Sequence, residues 1–259
     1  MSKIVVSLFC FFAAVAALAQ PEYEAQTYKS DLRELNYRIL YPENFSAKNT
    51  YPVLLFLHGS GERGDDNQKQ LVHGSKLFSN ASFRKDYPAI VVFPQCPQED
   101  YWSNVTVDRS FHPLRLVFHE EGTATSALQQ VMALMDSLYA LPFTKDDQFY
   151  LGGLSMGGMG TIELAARKPE MFAAAFSICG GGHTARARQI AGNVPMWFFH
   201  GAKDDLVLPS HSTEMVIAIR ENGGIARYTL YKDANHNSWD SAFAEPEFMS
   251  WLFSNVKGR

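Results

Sequence analysis

Two stretches of this chain, Val53-Leu54-Leu55-Phe56-Leu57 and Ala89-Ile90-Val91-Val92-Phe93, are apolar at every position. A strand with one wet face alternates polar and apolar side chains. An unbroken apolar run of strand length therefore implies cover on both faces, the condition of an inner strand of a parallel sheet. The first run extends back to residue 52, and further strand-like runs fall at 35–40, 148–151, 173–178, 196–199 and 226–231. Helical patterns lie between them, near 67–78, 123–141, 156–168, 211–221 and 242–256. Such alternation predicts crossover units, hence an α/β fold with a mainly parallel central sheet flanked by helices.

The 259 residues, 46% of them hydrophobic, suffice for one large core. No repeat, low-complexity tract or Gly/Ser/Pro linker interrupts them, so residues 20–259 are expected to form one domain. The net charge of −4 comes without a Lys/Arg cluster, which excludes the electrostatic footprint of a nucleic-acid binder. Lys3, the apolar run 4–18 and the small-x-small site Ala17-Leu18-Ala19 read as a cleavable signal peptide over residues 1–19. A secreted or periplasmic protein is expected, without stable membrane association after cleavage. The run is short for a membrane span, and Cys10 lacks the preceding small residues of a lipid-modified cysteine. Cys96 and Cys179 remain, each after a predicted strand with two other strands between them, so free, partly buried thiols are expected.

Gly153-Leu154-Ser155-Met156-Gly157 joins the run ending at Leu151 to the helical pattern beginning at 156. A serine on a sharp strand-to-helix turn projects its hydroxyl from the end of the sheet, and flanking glycines leave room for the turn. Ser155 is therefore the candidate nucleophile. A serine hydroxyl needs a base oriented by an acid, which on such sheets follow it in the order acid, then histidine. Asp204, in His200-Gly201-Ala202-Lys203-Asp204 just past the run 196–199, is the expected acid, with Asp205 as its competitor. Only His211 and His236 come later. His211 falls in a helical pattern and reads as a solvated surface residue, whereas His236 sits in the polar segment Asn235-His236-Asn237-Ser238-Trp239 after the last strand and is the expected base. Negative charge developing on a substrate oxygen needs fixed N–H donors. The backbone amides of Met156 and of Ser60, in His58-Gly59-Ser60-Gly61 after the run 52–57, are the expected pair; the His58 side chain and the Ser60 hydroxyl are read as supports of that loop.

The segment 94–122 lacks a period and is expected to be a loop shaping a pocket, its Tyr101, Trp102, Phe111 and Phe118 either lining that pocket or packing the loop down. Glu62-Arg63-Gly64-Asp65 reads either as a surface ion-pair cluster or, through Arg63, as a contact to a polar or anionic part of a substrate. Phosphate-loop, dinucleotide and zinc signatures are missing from the sequence, so neither a cofactor nor a metal is expected.

Taken in order, Leu57-His58-Gly59-Ser60-Gly61-Glu62-Arg63-Gly64-Asp65-Asp66-Asn67, Gly153-Leu154-Ser155-Met156-Gly157-Gly158, Ile178-Cys179-Gly180-Gly181-Gly182, His200-Gly201-Ala202-Lys203-Asp204 and His236-Asn237-Ser238-Trp239-Asp240 resemble an α/β-hydrolase of the phospholipase/carboxylesterase group. Within that group the chain is similar to the predicted-peptidase branch, related to feruloyl and polyhydroxybutyrate-depolymerase-type esterases. The resemblance implies an α/β-hydrolase fold without a large cap domain, Ser155, Asp204 and His236 as a triad, Ser60 and Met156 amides on the oxyanion, and Trp102 and Trp239 bordering the substrate. The expected activity is a secreted serine carboxylesterase working through an acyl-enzyme on a small-molecule or carbohydrate ester, such as acyl or feruloyl decorations of plant polysaccharides. A serine peptidase of the same fold and a non-catalytic glycan-binding protein are the competing readings, the second of which places no demand on all three triad residues.

Overall fold

The computed structural model describes residues 23–29 and 34–258; the expected signal peptide lies outside them. The strands are β1 (Glu24–Lys29), β2 (Glu34–Leu40), β3 (Tyr51–Leu57), β4 (Ile90–Pro94), β5 (Val105–Asp108), β6 (Arg115–Phe118), β7 (Thr144–Leu154), β8 (Phe172–Ile178), β9 (Met196–Gly201) and β10 (Ala226–Tyr231). Eight of them form one sheet in the order β1-β2-β4-β3-β7-β8-β9-β10, while β5 and β6 pair separately as a hairpin. From β4 to β10 every pairing is parallel; β2 joins β4, and β1 joins β2, antiparallel.

The helices are α1 (Ser75–Ser79), α2 (Ala81–Asp86), α3 (Ser126–Tyr139), α4 (Met156–Arg167), α5 (Ala187–Ile190), α6 (Ser210–Glu221), α7 (Trp239–Phe243) and α8 (Phe248–Ser254). They cover the sheet on both sides, which is why β3 carries no polar face. Val53, Leu55 and Leu57 join a core with Leu128 and Val131 of α3, Ile162 of α4 and Met215 of α6. Leu54 and Phe56 point the other way, into a core with Phe78 of α1, Phe83 of α2 and Leu252 of α8. This is the period of two of a strand, with both phases buried.

Three departures from the sequence reading have local causes. The helix expected over 67–78 breaks at Gly74, whose φ of 81° no right-handed helix accommodates, leaving a 3₁₀ turn at Lys69–Leu71 and then α1. The helix expected over 242–256 is split into α7 and α8 around Pro246, which lacks the N–H that a continuous helix requires. The segment 94–122, expected as irregular loop, contains the β5–β6 hairpin. Cys96 and Cys179 are free and β3 and β7 separate the strands they follow, as expected, but both thiols are fully rather than partly buried.

Candidate active site

Strand β7 ends at Leu154 and α4 begins at Met156, so Ser155 alone makes the turn, at φ 53° and ψ −117°. A non-glycine residue held there is strained, and the surroundings enforce it. The Ser155 N–H donates to Ile178 O of β8 at 2.8 Å. The start of α4 also passes so near β3 that a Cβ on residue 157 would lie 1.9 Å from Leu57 O, which only glycine avoids. Met156 opens α4, where backbone N–H groups have no acceptor within the helix and point outward.

At the same end of the sheet, the loop after β10 brings His236 Nε2 to 3.0 Å from Ser155 Oγ, and His236 Nδ1 lies 2.8 Å from Asp204 Oδ2. A carboxylate only accepts, so Nδ1 carries the proton and donates to Asp204, leaving Nε2 to accept from the serine hydroxyl. Asp204 itself is buried, 3% exposed, in the turn after β9, where its Oδ1 accepts from the N–H groups of Leu206 and Val207 at 3.0 and 2.9 Å. Its Oδ2 has a second imidazole neighbour: His200 Nε2 at 3.1 Å, which is also 2.9 Å from Val207 O. Both of those neighbours are acceptors, so His200 is protonated at Nε2. Its Nδ1 lies 2.8 Å from Ser212 Oγ of α6. Burial pushes the Asp204 carboxyl up, but the hydrogen bonds from His200, His236 and the Val207 N–H outweigh it and hold the group well below the usual carboxylate range. Asp204 therefore stays ionised. Asp205 turns outward, exposed, 3.3 Å from His112 Nε2. His211 is not the solvated residue expected from its helix: it is half-buried, its ring 5.6 Å from that of Phe118.

His58 shapes the opposite wall. It is 1% exposed; its Nε2 accepts from the Cys96 N–H at 2.9 Å, so Nδ1 carries the proton and donates to Gly59 O at 2.6 Å. Burial lowers its pKa from 6.5 to about 4, fixing the neutral form this clamp requires. Gly59 and Ser60 then line a cavity of about 150 Å³ together with Ser155, His236, Trp239, Tyr101, Arg109 and Leu114. Cys179 Sγ lies within 4.8 Å of ligating atoms of Asp204 and His236. Hydrogen bonds already occupy the Asp204 oxygen, and burial pushes the thiol up, so this trio is a poor metal site.

Two expected substrate contacts are corrected. Trp102 does not border the cavity: it is fully buried, with its indole N–H donating to His58 O at 3.2 Å and its ring 5.3 Å from the His58 ring. Arg63 is a strut rather than a lining residue, donating through Nε to Ser60 O at 3.0 Å and through Nη1 to Asp100 O at 3.2 Å. Trp239 does line the cavity, with its ring 5.8 Å from that of His236. Of the four aromatic residues weighed in 94–122, Tyr101 lines the cavity, whereas Phe111 lies exposed beside Arg115. Three residues here went unassigned from sequence. His200 lay just past the apolar strand run 196–199, Arg109 in a segment without a period, and Glu163 in the middle of α4.

Glu163 is 2% exposed and holds the β5–β6 hairpin over the site. Its Oε2 accepts from Ser103 Oγ at 2.9 Å and from the Asn104 N–H at 2.6 Å, at one foot of the hairpin. Its Oε1 pairs with Arg167 and Arg186, which donate to Gly122 O and His119 O at the other foot. The Leu114 N–H donates to Leu206 O at 3.0 Å, tying the hairpin to the turn that carries Asp204.

The Esterase family model matches residues 32–239. The chain belongs to the esterase family. A solved thermostable esterase is 32% identical to this chain, with a TM-score of 0.80 over 91% of the chain. The chain spans only 63% of that protein's length. Lysophospholipase-like protein 1 of Mus musculus is 26% identical over 214 residues, 79% of this chain and 87% of the mouse protein. A ferulic acid esterase from Anaeromyces mucronatus, 14% identical, covers 98% of each chain with a TM-score of 0.64 and shares the fold. The chain thus has the α/β-hydrolase fold.

Proposed function

We propose that this protein is a serine carboxylesterase working through an acyl-enzyme on Ser155. The observation that carries the reading is the continuous hydrogen-bonded line from Ser155 Oγ through His236 to Asp204, at 3.0 and 2.8 Å. Ser155 Oγ attacks the ester carbonyl carbon while its proton passes to His236 Nε2, and the ionised Asp204 stabilises the imidazolium. The amides of Ser60 and Met156 hold the oxyanion. Collapse breaks the carbon–oxygen bond to the alcohol, which takes the proton from His236. A water molecule, deprotonated by His236, then attacks the acyl carbon, and free acid leaves with Ser155 restored.

The substrates in this reading are acyl or aromatic-acid esters of plant polysaccharides, and the protein is exported. A narrow cavity edged by Tyr101 and Trp239 suits a flat acyl group, and the sequence of residues 1–19 has the pattern of an export signal. A panel of p-nitrophenyl butyrate, methyl ferulate and acetylated xylan tests the substrate class, with methyl ferulate or acetylated xylan expected among the good substrates. Ser155→Ala is expected to lose about 10⁴-fold or more in kcat on each substrate cleaved. Activity retained at more than a few per cent by pure, folded Ser155→Ala would overturn the nucleophile assignment.

A further inference from the structure

Arg109 is set apart from the other cations around the site. Arg63, Arg167 and Arg186 are all committed to hydrogen bonds that brace loops. Arg109 lines the same cavity as Ser155 and His236 and makes neither an ion pair nor a hydrogen bond with the described residues. Its side chain is exposed to solvent. It lies at the turn of the β5–β6 hairpin, whose two feet are fixed by the buried Glu163 network and whose tip is tied to Leu206. Tyr101 lines the same cavity as Arg109; burial raises the pKa of its phenol, and the positive charges of Arg109 and Arg63 oppose that rise.

The cavity also holds one carboxylate, Glu62, next to the nucleophile. A Cβ on Gly59 would lie 3.0 Å from Glu62 Oε2 and 3.8 Å from Ser155 Cβ. His73 Nε2 is 3.8 Å from Glu62 Oε1, and the His73 ring packs on Trp239 at 4.9 Å, so this acid belongs to the Trp239 wall. A negative group close to the scissile carbonyl would meet Glu62, whereas one reaching towards the hairpin would meet an uncommitted guanidinium.

We propose that Arg109 forms a subsite for a carboxylate carried by the ester substrate several bonds from the scissile carbonyl. An arginine suits this role because its planar fork can grip a carboxylate through two N–H donors. The proposal rests on the esterase reading above and narrows it to esters bearing an acidic group.

The test compares matched ester pairs that differ in charge. Mono-p-nitrophenyl adipate against its neutral methyl ester places the anion on the acyl side, and p-acetoxybenzoate against its methyl ester places it on the alcohol side. For one of the pairs, the ratio of kcat/KM for the anionic over the neutral member is expected to fall about tenfold in Arg109→Gln, and less in Arg109→Lys, which keeps the charge. The pair that responds identifies the side on which the anion sits. The wild-type ratio is also expected to fall as salt rises from about 0.05 to about 0.5 M, as an open ion pair is screened. Ratios equal within about twofold in wild type and Arg109→Gln for both pairs would overturn the subsite while leaving the esterase reading intact. Failure of the wild type to cleave either neutral ester would overturn both.

Discussion

The neutral His58 clamp makes the stability of this protein depend on pH in a way that can be worked out from the site. In the folded chain the His58 pKa falls from 6.5 to about 4 because burial disfavours the cation. Above pH 6.5 neither the folded nor the unfolded chain protonates this residue, so it contributes no pH dependence. Between 6.5 and about 4 the unfolded chain binds a proton that the folded chain refuses, so stability is lost as pH falls through this window and levels off below it. At about 1.36 kcal/mol per pH unit, the interval amounts to about 3 kcal/mol, a large part of an ordinary domain's stability. Protonation would also break the bond from the Cys96 N–H to Nε2 and release the loop that carries Gly59 and Ser60. Urea midpoints measured at pH 7 and near pH 4 in wild type and His58→Gln test this. Other groups titrate in both proteins, so the quantity of interest is the difference between the two pH-induced shifts. The wild-type midpoint is expected to fall by about 1 M more than that of His58→Gln, for a slope of about 3 kcal/mol per molar urea. Equal shifts in the two proteins would show that His58 is not held neutral in the folded state.

Two further predictions concern residues that act through others. His200→Phe removes an N–H donor from Asp204 Oδ2 and is expected to lower kcat about tenfold with little change in KM, while His200→Gln, which keeps a donor, restores part of the rate; an equal loss in both variants, or a loss confined to KM, would count against positioning of Asp204. Glu163→Leu leaves Arg186 and the Asn104 N–H without their buried acceptor and is expected to destabilise the fold by about 3 kcal/mol and to raise KM more than it lowers kcat, since the hairpin walls the cavity but touches none of the reacting atoms. A midpoint and KM both unchanged would show that Glu163 does not hold the hairpin.

The legible parts of this molecule are those whose geometry is set by neighbours in sequence. Ser155 stood out because a strand, a one-residue turn between glycines and a helix are contiguous, and β3 and β4 because burial on both faces leaves an unbroken apolar run. Asp204 and His236 were found by position, each just past a strand on the side where the serine emerges. The hairpin was illegible because β5 and β6 pair only with each other and have one exposed face, so neither shows the apolar run of the main sheet. Trp102 and Arg63 went wrong for a related reason. Both residue types serve equally as ligand contacts and as braces, and the choice depends on partners distant in sequence, His58 for one and Asp100 for the other. His200 shows the converse: its part of the chain reads as plain core strand, and its link to Asp204 Oδ2 exists only once the turn after β9 folds back over it.

The central claim is that Ser155 is a hydroxyl activated by His236 and Asp204. A fluorophosphonate probe, which reacts with such a serine and transfers its phosphonyl group to Oγ, tests it directly when followed by intact-mass and peptide mass measurement. A single adduct on the peptide carrying Ser155, missing from Ser155→Ala and slowed in His236→Ala, is the expected result. Ester hydrolysis by folded wild-type protein without any adduct, or an adduct that persists unchanged in Ser155→Ala, would contradict it.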